Sequence, residues 1–188
     1  MKQHPLSKIF PAMPDDEIQA LAADIKAHGL KSAIVMYEGQ VLDGWHRVLA
    51  CKIAGVQPRS VEYRGKDPAA AVRSANWHRR HMTTSQRALA EVQLSDWLTN
   101  GQTTAASRNR PAQSAAQMAD DAKVGVSAIK DAKVVESHGA EVLKDAVKEE
   151  KISVHKAAKI AKLPKAKQPK AIKEAKEKKP RTAKADTV

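Results

Sequence analysis

Residues 41–54 read VLDGWHRVLACKIA. Val41 and Leu42 are followed by Asp43 and Gly44, and then by apolar positions at Val48, Leu49, Ile53 and Ala54 before Gly55. That succession predicts a strand, a glycine corner and a helix. A glycine directly after a strand lets the backbone turn tightly. The residues that follow then lie in the first helical turn, whose unpaired N–H groups and dipole attract anions. His46 and Arg47 fall on that turn and add an imidazole donor and a guanidinium fork aimed at the same anion. Phosphate is the natural ligand of such a corner. The string is short, and a glycine turn followed by a surface His-Arg pair is the alternative reading.

Working outward, residues 15–28 place Ile18, Leu21, Ala22 and Ile25 at the spacing of one helix face, with Pro14 and acidic Asp15, Asp16 and Glu17 as start signals and Gly29 as stop. The apolar run 33–37, the turn Glu38-Gly39 and the run 40–42 predict a β-hairpin. Residues 61–63 predict a third strand, 67–76 an alanine-rich helix and 85–100 another helix, which Thr83 and Gln86 open at capping-box spacing. Residues 101–113, GQTTAASRNRPAQ, read as a linker. Beyond it, 114–122 and 126–137 predict two helices around a short turn, Lys123-Val124-Gly125, and 139–150 and 153–163 predict two more. After Pro164 the chain is almost wholly Lys, Ala, Pro and Glu. So little apolar surface cannot offset the entropy of ordering, and disorder or a transient helix is expected.

The organisation this implies is one domain over residues 1–100, a linker at 101–113, a helical region at 114–163 and a Lys-rich tail at 164–188. With 188 residues, large multi-domain architectures are excluded. All aromatic residues (Phe10, Tyr37, Trp45, Tyr63, Trp77, Trp97) precede residue 100, so the second half must be held by Ala, Val, Ile and Leu. The formal charge is +12, yet from Lys151 onward 13 Lys+Arg face 3 Asp+Glu, so the body is nearly neutral and the end is a polycation. Such an end neutralises phosphates without reading bases, which makes nucleic acid the expected partner; a solvated solubility tail is the alternative. No apolar run approaches the roughly 20 residues of a membrane span, and the first residues lack the features of a secretory signal. A soluble, cytoplasmic protein with no membrane partner is expected. The single cysteine, Cys51, rules out an internal disulfide and reads as a small core residue.

Residues 14–55, PDDEIQALAADIKAHGLKSAIVMYEGQVLDGWHRVLACKIAG, resemble the ParB N-terminal domain, which shares its fold with sulfiredoxin. The likeness includes the helix ending in His28-Gly29-Leu30, the hairpin carrying Glu38 to Gly44, and the helix starting at Trp45-His46-Arg47. A second box, Ala75-Asn76-Trp77-His78-Arg79-Arg80-His81-Met82-Thr83, resembles the asparagine-and-arginine box before that family's next helix. The resemblance implies an α+β fold: a small mixed-sheet ParB/sulfiredoxin-like domain, then an all-helical helix-turn-helix region and a disordered basic tail. It implies that Gly44, Trp45, His46 and Arg47 hold the phosphates of CTP or ATP, with Mg²⁺, and that Asn76, Arg79 and Arg80 close over the nucleotide or over DNA. Asp43 is carried over as a metal or catalytic carboxylate. Sulfiredoxin's reactive cysteine would stand where Trp45 is, which excludes that oxidoreductase chemistry. Chromosomal ParB proteins have an Arg-rich corner where this chain has Trp-His, and their usual Gln-Pro-Ile reads Ser32-Ala33-Ile34.

Met118, Ala119, Ala122, Val124, Ile129 and Ala132 fall where a helix-turn-helix needs its core, with Lys123 where the turn usually has glycine. The helical part of phage and plasmid ParB proteins is similar, including residues 151–158. Val126, Ser127, Lys130 and Lys133 then lie on or near the face entering the major groove, and Lys165, Lys167 and Lys170 of the tail add phosphate contacts. An ordinary helical hairpin is the alternative. These readings lead to a DNA-binding, nucleotide-binding protein of plasmid or phage partition or regulation, with a homodimer among its expected assemblies. The alternative is an enzyme of the same fold, a metal-dependent DNase or ATPase such as a plasmid fertility-inhibition factor. It would use Asp43, His46 and Glu38 or Glu17 as acid, base or metal ligand. An interaction protein that blocks DNA transfer is a third reading. No metal ligand set is identified, since His28, His78 and His81 lack a metal-binding spacing.

Overall fold

Pro5 opens a one-turn helix that the apolar pattern does not announce, α1 (Pro5–Lys8). Its missing N–H is harmless at a helix start, and His4 Nδ1 accepts from the Leu6 N–H at 3.2 Å. This computed structural model describes residues 1–77, 82–99 and 113–177. α2 (Asp15–His28) has the expected bounds; its acidic first turn suits the helix dipole, and Ile18, Ala22 and Ile25 are buried.

β1 (Ile34–Tyr37) and β2 (Gln40–Asp43) make the expected hairpin. Its two-residue turn, Glu38 at φ 49° and Gly39 at φ 71°, has the left-handed backbone that matches strand twist. α3 (Trp45–Ala54) then packs along α2, and Ala22, Ile25, Ala50 and Cys51 form a small core between them. β3 (Ser60–Glu62) returns parallel to β1, so the sheet is mixed, in the order β2-β1-β3. Pairing slips between Val35 and Met36: Met36 faces Val41 while Val35 faces Asp43. Leu42 is the extra residue of that bulge, 1% exposed, and the bulge bends β2 immediately before the corner. The outer edge of β2 is covered by the N-terminal segment, through Val41 N–H to the Lys2 carbonyl (2.8 Å) and His4 N–H to the Val41 carbonyl (3.0 Å).

α4 (Pro68–Trp77) and α5 (Thr84–Thr99) follow. The expected capping box is present: Gln86 N–H donates to Thr83 Oγ1 at 3.3 Å, and Thr83 N–H donates to Gln86 Oε1 at 2.9 Å. Leu6, Phe10, Leu42, Ala69 and Val72 pack with Ala90 and Leu94 of α5. The other side of α5 supplies Ala88, Leu89 and Val92 to the core of the helical region. α5, expected to close the first domain, therefore belongs to both cores. That second core is built by α6 (Ala115–Ala122), α7 (Val126–His138), α8 (Glu141–Lys148) and α9 (Val154–Ala161).

The expected disorder beyond Pro164 does not extend over residues 165–177. Those residues form a 3-10 turn (Lys165–Lys167) and a docked helix, α10 (Gln168–Glu177). A buried amide adds to the few apolar contacts, Ile172 with Ala171 and Ala175, that dock this helix. Gln168 is fully buried; its Oε1 accepts from the Ala140 N–H at 2.7 Å, and its Nε2 points at the carbonyls of Leu163, His138 and Ala161 at 3.0, 3.1 and 3.4 Å. Residues 101–112 of the expected linker and 178–188 of the tail lie outside the described residues. Among the described residues no helix is long and apolar enough to cross a membrane.

Candidate functional site

The corner is set by Gly44, at φ 95° in the left-handed region, which caps α3 without a side-chain hydrogen bond. The first N–H groups of α3 have no intrahelical partner, so they form an anion-attracting end. Behind them lies a cavity of 190 Å³ lined by Ser7, Met13, Asp43, His46, Arg47 and Asn76, among others. Gly44, Trp45, His46, Arg47 and Asn76, expected to hold a nucleotide, thus share one cavity wall. Arg79 and Arg80 lie outside the described residues.

The two polar side chains on the first turn have different partners. His46 Nε2 accepts from the Met13 N–H at 3.0 Å, which requires an unprotonated Nε2 and puts the ring proton of neutral His46 on Nδ1. Arg47 folds back over Gly44. Its Nη2 donates to Asp43 Oδ2 at 2.6 Å, and its Nη1 donates to the carbonyls of Ser32 (3.0 Å) and Ala33 (3.1 Å). The ion pair is largely shielded, at 16% and 19% side-chain exposure for Arg47 and Asp43. Arg47 therefore both neutralises Asp43 and staples the start of α3 to the segment entering β1. An arriving phosphate would meet the helix end and the remaining guanidinium N–H groups.

Of the carboxylates considered for catalysis, Asp43 is at the corner. Glu38 is exposed in the hairpin turn, at the opposite end of β2, and Glu17 is exposed in the first turn of α2. Among the described residues no group of three or more His, Cys, Asp or Glu is placed to hold a metal ion. A neighbouring cavity of 360 Å³ shares Met13, Trp45 and His46 with the first and adds Phe10, together with Asp145 and Lys148 of α8. Composition did not signal this contact between the two halves. Lys148 Nζ donates to the Lys8 carbonyl at 3.3 Å, and burial pushes its ammonium below the usual lysine range.

The second site is the α6–α7 pair. Ser114 and Gln117 form a capping box that starts α6. Lys123 ends it at φ 51°: its N–H donates to the Asp120 carbonyl (3.1 Å), and the Val124 N–H reaches the Ala119 carbonyl (3.0 Å). This is a Schellman closure with lysine where glycine is usual. Met118, Ala119, Ala122, Ile129 and Ala132 are buried as a helix-turn-helix requires. Val126, Ser127 and Lys130 are exposed on α7. Lys133 is half-buried and interacts electrostatically with Asp96 of α5, whose carboxyl burial raises, so it sits at the edge of the exposed face. Lys165, Lys167 and Lys170 are exposed on the 3-10 turn and α10.

No protein-family model matches the sequence, and no curated protein matches it. Solved structures do. A Pnob8-like ParB-N domain is similar at a TM-score of 0.56 and 14% identity, over 95% of this chain and 90% of that one. Two structures of the C-terminally truncated chromosome-partitioning protein ParB from Caulobacter crescentus overlap more loosely. One, complexed with CTP-gamma-S, has a TM-score of 0.37 at 14% identity, over 91% of this chain and 93% of that one. The other, complexed to the centromeric parS site, has a TM-score of 0.40 at 12% identity, over 88% of each chain. The fold likeness rests on the first, and it bears out the expected ParB-like α+β architecture.

Proposed function

We propose that this chain, which shares the fold of a ParB N-terminal domain, is a DNA-binding protein that holds the phosphates of a nucleoside triphosphate, CTP or ATP, at the start of α3. The observation that carries the reading is the uncapped first turn of α3 behind Gly44, facing a cavity also lined by His46, Arg47 and Asn76. At 190 Å³ this space is smaller than the roughly 300 Å³ at which ligand pockets begin, so it suits phosphates rather than a whole nucleotide. The nucleoside would extend past His46 into the adjoining 360 Å³ beside Trp45 and Phe10. A magnesium ion bound mainly through phosphate oxygens would find Asp43 as the carboxylate on the wall. DNA binding is supported by the helix-turn-helix geometry of α6 and α7 and by the exposed lysines that follow. A role in plasmid or phage partition or regulation follows from fold analogy. The ion pair between Asp43 and Arg47 favours binding over metal-assisted cleavage as the use of this corner.

The test is calorimetric titration of the full chain with CTP, ATP and GTP, with and without Mg²⁺ and duplex DNA, and with inorganic triphosphate as the base-free probe. Heat with at least one ribonucleotide is expected, together with competition by inorganic triphosphate. Arg47→Ala should weaken that binding at least about tenfold, the equivalent of about 1.4 kcal/mol. No heat from any of these ligands would overturn the reading.

A further inference from the structure

Between Lys151 and Lys173 the chain carries eight lysines and no acidic residue, and all eight are exposed. α9 buries Val154, Ala157, Ala158, Ile160 and Ala161, while Lys156, Lys159 and Lys162 recur every third residue on its other side. Like charges at that spacing repel one another along a helix, and a polyanion laid against them relieves the repulsion.

The stripe lies beside α7. His155 at the start of α9 pairs with Asp131 of α7. At the other end, Lys162, Leu163 and Lys165 share a groove of 710 Å³ with Val134, Ser137 and His138 of α7. Val134 and Ser137 of α7 thus meet the C-terminal end of the lysine stripe, Lys162 and Lys165, across this groove, while the exposed Ser127 and Lys130 continue the same side of α7 toward its start.

We propose that Lys156, Lys159 and Lys162 form a rail for the sugar-phosphate backbone of duplex DNA, continued by Lys165, Lys167 and Lys170. The rail rests on the DNA-binding reading above and divides its labour: α9 holds the backbone without regard to sequence, and α7 faces the bases. Backbone contacts carry the salt dependence of binding, and base contacts carry the discrimination.

The full chain would be titrated by fluorescence anisotropy against poly(dA-dT), poly(dG-dC) and mixed-sequence duplexes between about 50 and 200 mM salt. In K156Q/K159Q/K162Q the plot of log affinity against log salt should become shallower by about 2.7, at about 0.9 per lost contact, and by the same amount on every duplex. Lys159→Gln alone should remove about 0.9, and arginine at all three positions should restore the slope. Glutamine has nearly the helix propensity of lysine, so the fold is expected to persist, as circular dichroism melting would show. An unchanged slope in a chain that still binds DNA overturns the rail alone. A wild-type chain that binds no duplex at the lowest salt overturns both the rail and the DNA-binding reading. The same titration is run on a mixed-sequence duplex RNA, and a slope change seen there but on none of the DNA duplexes overturns the choice of DNA.

Discussion

Gly44 and Arg47 show how far a short motif can be read. A Cβ at Gly44 would lie 2.8 Å from Arg47 Nε and Nη2, so the glycine serves the close approach of its own helix's arginine as well as the turn. The corner and its anion-attracting end were legible from residues 41–54. The partners that restrain it were not, because Met13 is 33 positions from His46, and Ser32 and Ala33 are 15 and 14 from Arg47. Glu91 was equally hidden, since its partner Arg73 stands 18 positions away on α4. It is 0% exposed and bonded through Oε1 to Arg73 Nη2 at 2.8 Å, and among the described residues its Oε2 has no hydrogen-bond partner. Burial outweighs the attraction of Arg73 and, with Asp121 adding repulsion, pushes the carboxyl up to about 7 from its usual 4.5. A raised carboxyl favours the folded state when protonated. Its contribution is therefore fully present below about 4.5 and is lost as pH rises through about 7. Between those limits the chain should lose on the order of 1–3 kcal/mol from this group. Glu91→Gln should flatten that part of the stability profile, measured by urea unfolding at a series of pH values; a profile parallel to wild type would contradict the assignment.

At the level of elements, apolar periodicity and end signals located the hairpin, α2 to α9 and the turn between α6 and α7, because each carries its own start, stop and buried face. Three elements escaped, α1, the 3-10 turn and α10. α1 is a single turn with too few positions to show a period, and α10 is sparse in apolar side chains and docks through Gln168 and Ile172. The α6–α7 turn contains a local conflict, a lysine in the left-handed region that L side chains disfavour. Its exposed contact with Asp120 gives little in return. Lys123→Gly should raise stability by about 0.5–1 kcal/mol, read as a higher urea midpoint at unchanged slope. A lower midpoint would mean that the lysine side chain contributes more to folding than its exposed ion pair suggests.

For the whole molecule, composition correctly separated an aromatic first half from an aliphatic second half, but it did not show how they are joined. To the apolar faces of α5, polar groups that composition marks as surface add to the joint: Gln86 Nε2 donates to the Lys148 carbonyl at 2.6 Å and Ser85 Oγ accepts from the Val154 N–H at 3.0 Å, while within the helical region Gln168 closes its end. Replacing Gln168 with alanine removes the partner of the half-buried Ala140 N–H and of the carbonyls that the amide faces. It should cost about 2–3 kcal/mol of stability by chemical denaturation, although no apolar contact is lost. A change within about 0.5 kcal/mol, the range of ordinary surface substitutions, would place the hold on α10 elsewhere.

α5 gives Leu89 to one core and the very next residue, Ala90, to the other. Neither half can let go of that helix without exposing the flank of its neighbour, so heat or denaturant should find one cooperative unit rather than two. A substitution beside α7 that loosens α5 would then unsettle the Gly44 corner as well, in the same melting transition.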